Sequence, residues 1–179
     1  MKINWSIYIL LILLVGCYNP KPRKPVTYSS GTDQSESIAF NKKLYNQESN
    51  MIAQYAENDT IHDYKNSSYG FWYSIINDQE DTIFPQKGDK ITFNYNISDF
   101  QGNKFYSEKE LGTQTYYVEQ QEMIQGIQHG IQYLNTGEKA IFLLPSHMAY
   151  GYLGDNDKIG PNTPIILTIE ILNITKSTP

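Results

Sequence analysis

Ile91-Thr92-Phe93-Asn94-Tyr95-Asn96-Ile97-Ser98 alternates without a break between large apolar side chains and polar ones. Successive side chains of a strand point to opposite faces, so this period of two gathers Ile91, Phe93, Tyr95 and Ile97 on one face. A sheet with one apolar face has to bury it under another layer. The cover comes downstream, where Met123, Ile127, Ile131 and Leu134 recur at helical spacing. Gly126 and Gly130 each cost that helix about 1 kcal/mol relative to Ala, but together they bare one turn of its backbone for close approach by a neighbour. Further strands are expected at Phe71 to Ile76, Tyr116 to Val118, Ala140 to Leu144 and Ile165 to Leu172, with a turn at Gln101-Gly102-Asn103. Pro145 ends one strand and Pro164 precedes another, where a missing backbone N–H does least harm. The pattern predicts an α+β fold, an antiparallel β-sheet wrapped over one short helix.

Upstream, Phe40, Leu44, Met51, Ile52 and Tyr55 fall near helical spacing, and Asp33 with Glu36 fits a capping box. A separate N-terminal helix is expected from about Ser35 to Glu57, stopped by Asn58-Asp59. Gln47 and Glu48 interrupt its stripe, which predicts a helix lying along a surface, with a face open to a docking partner. Nearer the start, Lys2 precedes an apolar run from Ile7 to Val15, closed by Gly16 and Cys17. The run is shorter than the roughly 20 residues that cross a bilayer and reads as the h-region of a signal peptide. Leu14-Val15-Gly16-Cys17 resembles a bacterial lipobox, which implies cleavage before Cys17 and acylation there. An ordinary cleaved signal with an incidental Cys, or an uncleaved short anchor, is the alternative. Pro20, Pro22 and Pro25 among Lys21, Arg23 and Lys24 then read as a tether, either drawn to anionic headgroups or simply solvated.

Composition narrows the function. Among 179 residues, Lys+Arg 14 against Asp+Glu 19 gives a net charge of −5, which argues against a nucleic-acid binder. The 15 Tyr and 7 Phe, beside only 18% charged residues, argue against a wholly disordered chain. One Cys excludes an intrachain disulfide, and three His make a zinc cluster an unsuitable reading. His129 and His147 lack a Ser or Cys partner motif and read as surface polar groups, and Asp155-Asn156-Asp157 reads as a solvated turn rather than a calcium loop.

Several separated blocks carry a family resemblance. Gly88-Asp89-Lys90-Ile91, Tyr95, Gly102-Asn103-Lys104-Phe105, Met123-Ile124-Gln125-Gly126 with Gly130, Gly137-Glu138-Lys139-Ala140, Ala149-Tyr150-Gly151 with Gly154, Ile159-Gly160-Pro161 and Leu167 to Leu172 follow one another in order. From Pro85 to Ile174 this resembles the FKBP-type peptidyl-prolyl cis-trans isomerases. Asn41-Lys42-Lys43, Glu57-Asn58-Asp59 and Gly70-Phe71-Trp72-Tyr73 further resemble the gliding-motility-associated lipoproteins of that type from gliding bacteria. The implied organisation is a signal peptide over residues 1–16, a tether over 17–34, a helical segment over 35–66 and an isomerase domain over 67–179.

The resemblance implies a reaction with no cofactor, metal or nucleophile, on X-Pro segments of envelope proteins. It assigns catalytic roles to Tyr95, Phe105, Ile124 and Tyr150, and substrate binding to Tyr106, Met123, Ile127, Ile159 and Leu167. In the family the Ile124 backbone N–H and the Tyr150 hydroxyl donate to ligand carbonyls. The chain departs from the pattern at four places. Tyr106 stands where the family has Asp, Ile127 where strong drug binders have Trp, Gln114 where an aromatic precedes the strand, and Leu167 where a pocket Phe is usual. Two readings follow: a lipid-anchored isomerase facing the periplasm, or a module of an envelope machine that binds Pro segments without turnover.

Overall fold

The computed structural model describes residues 31–79 and 83–177; the signal segment, Cys17 and the tether up to residue 30 lie outside them. Helix α1 (Gly31–Asn58) leads to strands β1 (Lys65–Asn66), β2 (Trp72–Ile75), β3 (Lys90–Ser98) and β4 (Lys104–Tyr106). A one-turn helix α2 (Glu108–Leu111), β5 (Gln114–Tyr117), helix α3 (Gln125–Gly130) with a 3-10 turn (Ile131–Tyr133), β6 (Lys139–Leu144), a second 3-10 turn (Ser146–Met148) and β7 (Ile165–Thr175) complete the order. The strands form one sheet in the order β1-β2-β6-β7-β3-β4, with β5 beside β3. Every pairing is antiparallel, so the α+β architecture expected from the alternation is the one adopted.

β3 behaves as its period requires. Ile91, Phe93, Tyr95 and Ile97 are buried while the residues between them stay half-buried. Tyr95 faces Ile169 and Ile97 faces Leu167 across the β3–β7 ladder. The apolar side of the sheet meets α3, where Ile127 and Ile131 are enclosed by the core. The two glycines of α3 set that distance: a Cβ on Gly126 would run into Leu144 Cδ1, and one on Gly130 would stand 3.0 Å from Phe142 Cε1. Helix and β6 therefore touch backbone to side chain, as the bare turn suggested.

Phe142-Leu143-Leu144 and Ile165-Ile166-Leu167 do not alternate, because this part of the sheet is covered on both faces. Leu143 pairs with Ile166, and both join Ile52 of α1 in a second apolar cluster with Trp72 and Phe100 packed against it. Tyr55 meets Phe100 edge to face at 5.1 Å. α1 thus backs the sheet opposite α3, with its C-terminal half seated.

Three expectations for this helix need correction. It begins at Gly31 rather than about Ser35, so residues 31–34 belong to the helix. Phe40, counted in the stripe, is exposed. Glu48, read as a break in the stripe, is buried and accepts a hydrogen bond from Ser146 N at 2.8 Å; a carboxylate with a backbone donor can occupy a position that polarity alone assigns to solvent. The downstream helix is shorter than its apolar spacing implied, since Met123 precedes α3 and Leu134 follows the 3-10 turn.

Candidate active site

Nine residues singled out from the sequence come from five separate segments. Tyr95 lies on β3, Phe105 and Tyr106 on β4, Met123, Ile124 and Ile127 at the start of α3, Tyr150 and Ile159 in the β6–β7 connection, and Leu167 on β7. The structure brings all nine into one apolar cluster. Tyr95, Ile127, Ile159 and Leu167 are buried in its base, and Phe105, Tyr106, Met123, Ile124 and Tyr150 are half-exposed around it. An apolar base with a partly exposed aromatic rim is a surface on which a small ring can shed water.

Two donors stand at this rim. Ile124 is the N-cap of α3 in an extended conformation, with φ −58 and ψ 140. Its carbonyl accepts from Ile127 N at 3.0 Å and Gln128 N at 3.1 Å, while its own N–H has no hydrogen-bond partner among the described residues. The Tyr150 hydroxyl likewise has none among the described residues. Burial, reinforced by Tyr95 and Asp155 nearby, pushes that hydroxyl up to about 12, so it keeps its proton as a donor at neutral pH. The turn carrying it is fixed by Gly151 N donating to Ser146 O at 2.9 Å.

Tyr106 behaves differently from the Asp it replaces. Its hydroxyl donates to Asp155 Oδ2 at 2.5 Å and lies 3.2 Å from Asp157 Oδ2, reaching from β4 to the β6–β7 connection. The Asp155 bond is the main reason that the hydroxyl is held well above the ordinary tyrosine range. Asp155 Oδ1 in turn accepts from Asp157 N at 2.9 Å and Ile159 N at 2.8 Å. Burial acts to raise the Asp155 carboxyl, but these donors outweigh it and hold it below the usual carboxylate range. Lys158 adds a second tie, its Nζ 2.7 Å from Glu110 Oε1 and 4.6 Å from the Tyr106 ring centre. Lys158, with Ser107, pulls the Glu110 carboxyl down to about 2. Asp155-Asn156-Asp157 is thus not merely a solvated turn: its first carboxylate ties β4 to the β6–β7 connection through Tyr106. The sequence offered no local signal for this, because Tyr106 and Asp155 are 49 residues apart.

The histidines divide. His129 is not a surface group, since its ring stacks on Tyr69 at 4.0 Å and its Nδ1 is buried without a partner among the described residues. His147 stands beside Tyr45, ring centres 6.0 Å apart. Neither belongs to the apolar cluster that holds the nine site residues.

A sheet closed over a short helix here carries an apolar cluster with two unpartnered donors at its edge. The family model for FKBP-type peptidyl-prolyl cis-trans isomerase matches residues 81–172, and the chain belongs to that family. A probable FKBP-type peptidyl-prolyl cis-trans isomerase FkpA of Neisseria meningitidis serogroup B is 33% identical over 110 residues, covering 62% of this chain and 40% of that relative. FK506-binding protein 1 of Debaryomyces hansenii is 33% identical over 103 residues, covering 56% of this chain and 90% of its own length. Among solved structures, FkpA from Escherichia coli aligns over 99% of this chain and 85% of its own, with a TM-score of 0.58 at 17% identity. A peptidyl-prolyl cis-trans isomerase from Pseudomonas syringae pv. tomato aligns over 75% and 96%, with a TM-score of 0.61 at 21% identity. Both structures carry the fold.

Proposed function

We propose that the protein accelerates cis-trans exchange of X-Pro bonds in polypeptides at the bacterial cell envelope, held there by a lipid on Cys17. The observation that carries this reading is the pairing of the unpartnered Ile124 N–H and Tyr150 hydroxyl with the apolar cluster of Tyr95, Phe105, Ile127 and Leu167. Rotation about the imide faces a barrier of about 18–20 kcal/mol because resonance is lost in the twisted state. The planar imide is the more polar form, so transfer from water to an apolar surface disfavours it relative to the twisted form. The cluster holds the pyrrolidine ring, and the two donors fix the flanking carbonyls so that rotation is confined to one bond. No nucleophile takes part. Uncatalysed exchange takes tens to hundreds of seconds, so acceleration matters to folding.

The envelope placement is supported by the apolar run from Ile7 to Val15 closed by Gly16 and Cys17, where Leu14-Val15-Gly16-Cys17 resembles a lipobox. Clients are exported proteins, including those of a motility machine, which the upstream resemblance favours. Exposed Ile38 and Phe40 of α1 are the side chains to which an envelope partner would dock.

Exchange in short X-Pro peptides, followed by NMR with micromolar protein, tests the activity. Acceleration that drops by up to about tenfold in Tyr150→Phe is expected from the loss of one hydrogen bond; no acceleration by the wild-type protein would leave only the non-catalytic binding module. Labelled fatty acid should enter the wild-type chain in a bacterial host and not Cys17→Ser.

A further inference from the structure

A cleft of about 520 Å³ separates α1 from the segment on either side of Tyr150. Leu44, Tyr45 and Glu48 line it from the helix, and Ser146, His147 and Tyr152 from the other side. Its most unusual member is Glu48. This side chain is 5% exposed; Oε2 is satisfied by Ser146 N, but Oε1 is buried with no hydrogen-bond partner among the described residues. A buried carboxylate oxygen without a donor is costly, and the cost disappears when a cation or an N–H reaches it.

The surroundings say which donor fits. Tyr45 and Tyr152 are exposed at the cleft, and Leu153 beyond them is exposed too. Aromatic faces and an aliphatic side chain are the surfaces along which the stem of a long basic residue lies while its charged head seeks an acceptor. The chain as a whole carries −5, which draws basic segments toward it. Tyr152 follows Tyr150 by two residues, a reach of at most about 7 Å of backbone. A polypeptide whose proline rests against Tyr150 would bring a residue only a few positions away to the cleft.

We propose that this cleft is a second binding subsite, which takes a lysine or arginine side chain of the client polypeptide and pairs it with Glu48. The proposal rests on the isomerase reading, because it places the client's proline beside Tyr150. It makes the enzyme selective for proline segments with a basic residue at a fixed distance, a preference set by α1 rather than by the site that holds the ring.

The test uses the full chain and peptides with one X-Pro bond and a single lysine stepped from two to five residues away on either side. Each peptide is matched by one with norleucine, which has a similar stem and no charge. At one spacing, lysine should lower KM about tenfold, the worth of a charge-assisted hydrogen bond, with kcat unchanged. Glu48→Gln, which keeps an acceptor for Ser146 N, should erase the difference. Tyr152→Ala should shrink it without touching the carboxylate, and serves if Glu48→Gln fails to fold. Equal KM for lysine and norleucine at every spacing overturns the subsite and leaves the isomerase reading standing, with Oε1 then served by water. If no peptide is turned over, calorimetry on the same peptides decides: a lysine preference lost in Glu48→Gln supports the cleft, and no preference overturns it.

Discussion

The hydroxyl of Tyr106 sits 2.5 Å from Oδ2 of Asp155 and joins two walls of the site that the backbone does not connect. Tyr106 follows Phe105 on β4, while Asp155 holds Ile159 through Oδ1. Together they form a clasp between the strand and the connection that carries Tyr150. Tyr106→Phe and Asp155→Asn should each raise KM for proline peptides several-fold and leave kcat nearly unchanged. The double variant should be little worse than either single one, because both remove the same link. Steady-state kinetics on the four proteins checks this; full additivity would mean that the two residues act independently.

Restoring the family's Asp at position 106 is a different experiment from removing the hydroxyl. The new carboxylate would replace a donor with a third negative charge beside Asp155 and Asp157. Tyr106→Asp is therefore expected to lower the melting temperature and the rate rather than raise activity, with part of both losses recovered at high salt. Thermal melts and exchange rates across a salt series measure it.

The clasp also has a pH window. Asp155 is held below its ordinary 3.8, so its contribution is whole above that value and is lost as pH falls through the lower folded one. Tyr106 is held above its ordinary 10.0, so its contribution is whole below that value and is lost as pH rises through the higher folded one. The difference in melting temperature between wild type and Tyr106→Phe should stay flat between these two limits and shrink outside them on both sides.

Gly126→Ala sets helix propensity against packing. The substitution gains about 1 kcal/mol in an isolated helix. Here the new methyl would meet Leu144, which is fully buried and cannot swing aside. Overpacking of this kind costs about 1–3 kcal/mol. A net destabilisation of up to about 2 kcal/mol is expected by denaturant unfolding, with partial recovery in Gly126→Ala combined with Leu144→Val.

The elements that define the fold were legible wherever one residue's neighbours in sequence are also its neighbours in space. β3 announced its buried face by alternation, and Gly126 and Gly130 announced a close helix contact that Leu144 and Phe142 fulfil. Residues of the site were legible only through a resemblance spread over many blocks, since no periodicity links Tyr95 to Ile159. What escaped were pairings between distant polar groups. Glu48 lies four residues from both Leu44 and Ile52, and that spacing was the available sign that it shares their face; its polarity argued the other way until Ser146 supplied a donor. Short β4 and α2 passed unread because three or four residues carry no period, although Ser107 and Glu110 form the capping box that starts α2.

α1 covers Leu143 and Ile166, which would otherwise present a greasy plate to solvent on the reverse of the sheet. A recombinant fragment trimmed to remove this helix would keep every side chain of the apolar cluster around Tyr95, yet it would expose a surface suited to self-association. Low solubility or clumping of such a fragment would then report a missing backing and not a defective catalyst, and expression designs should begin upstream of the helix.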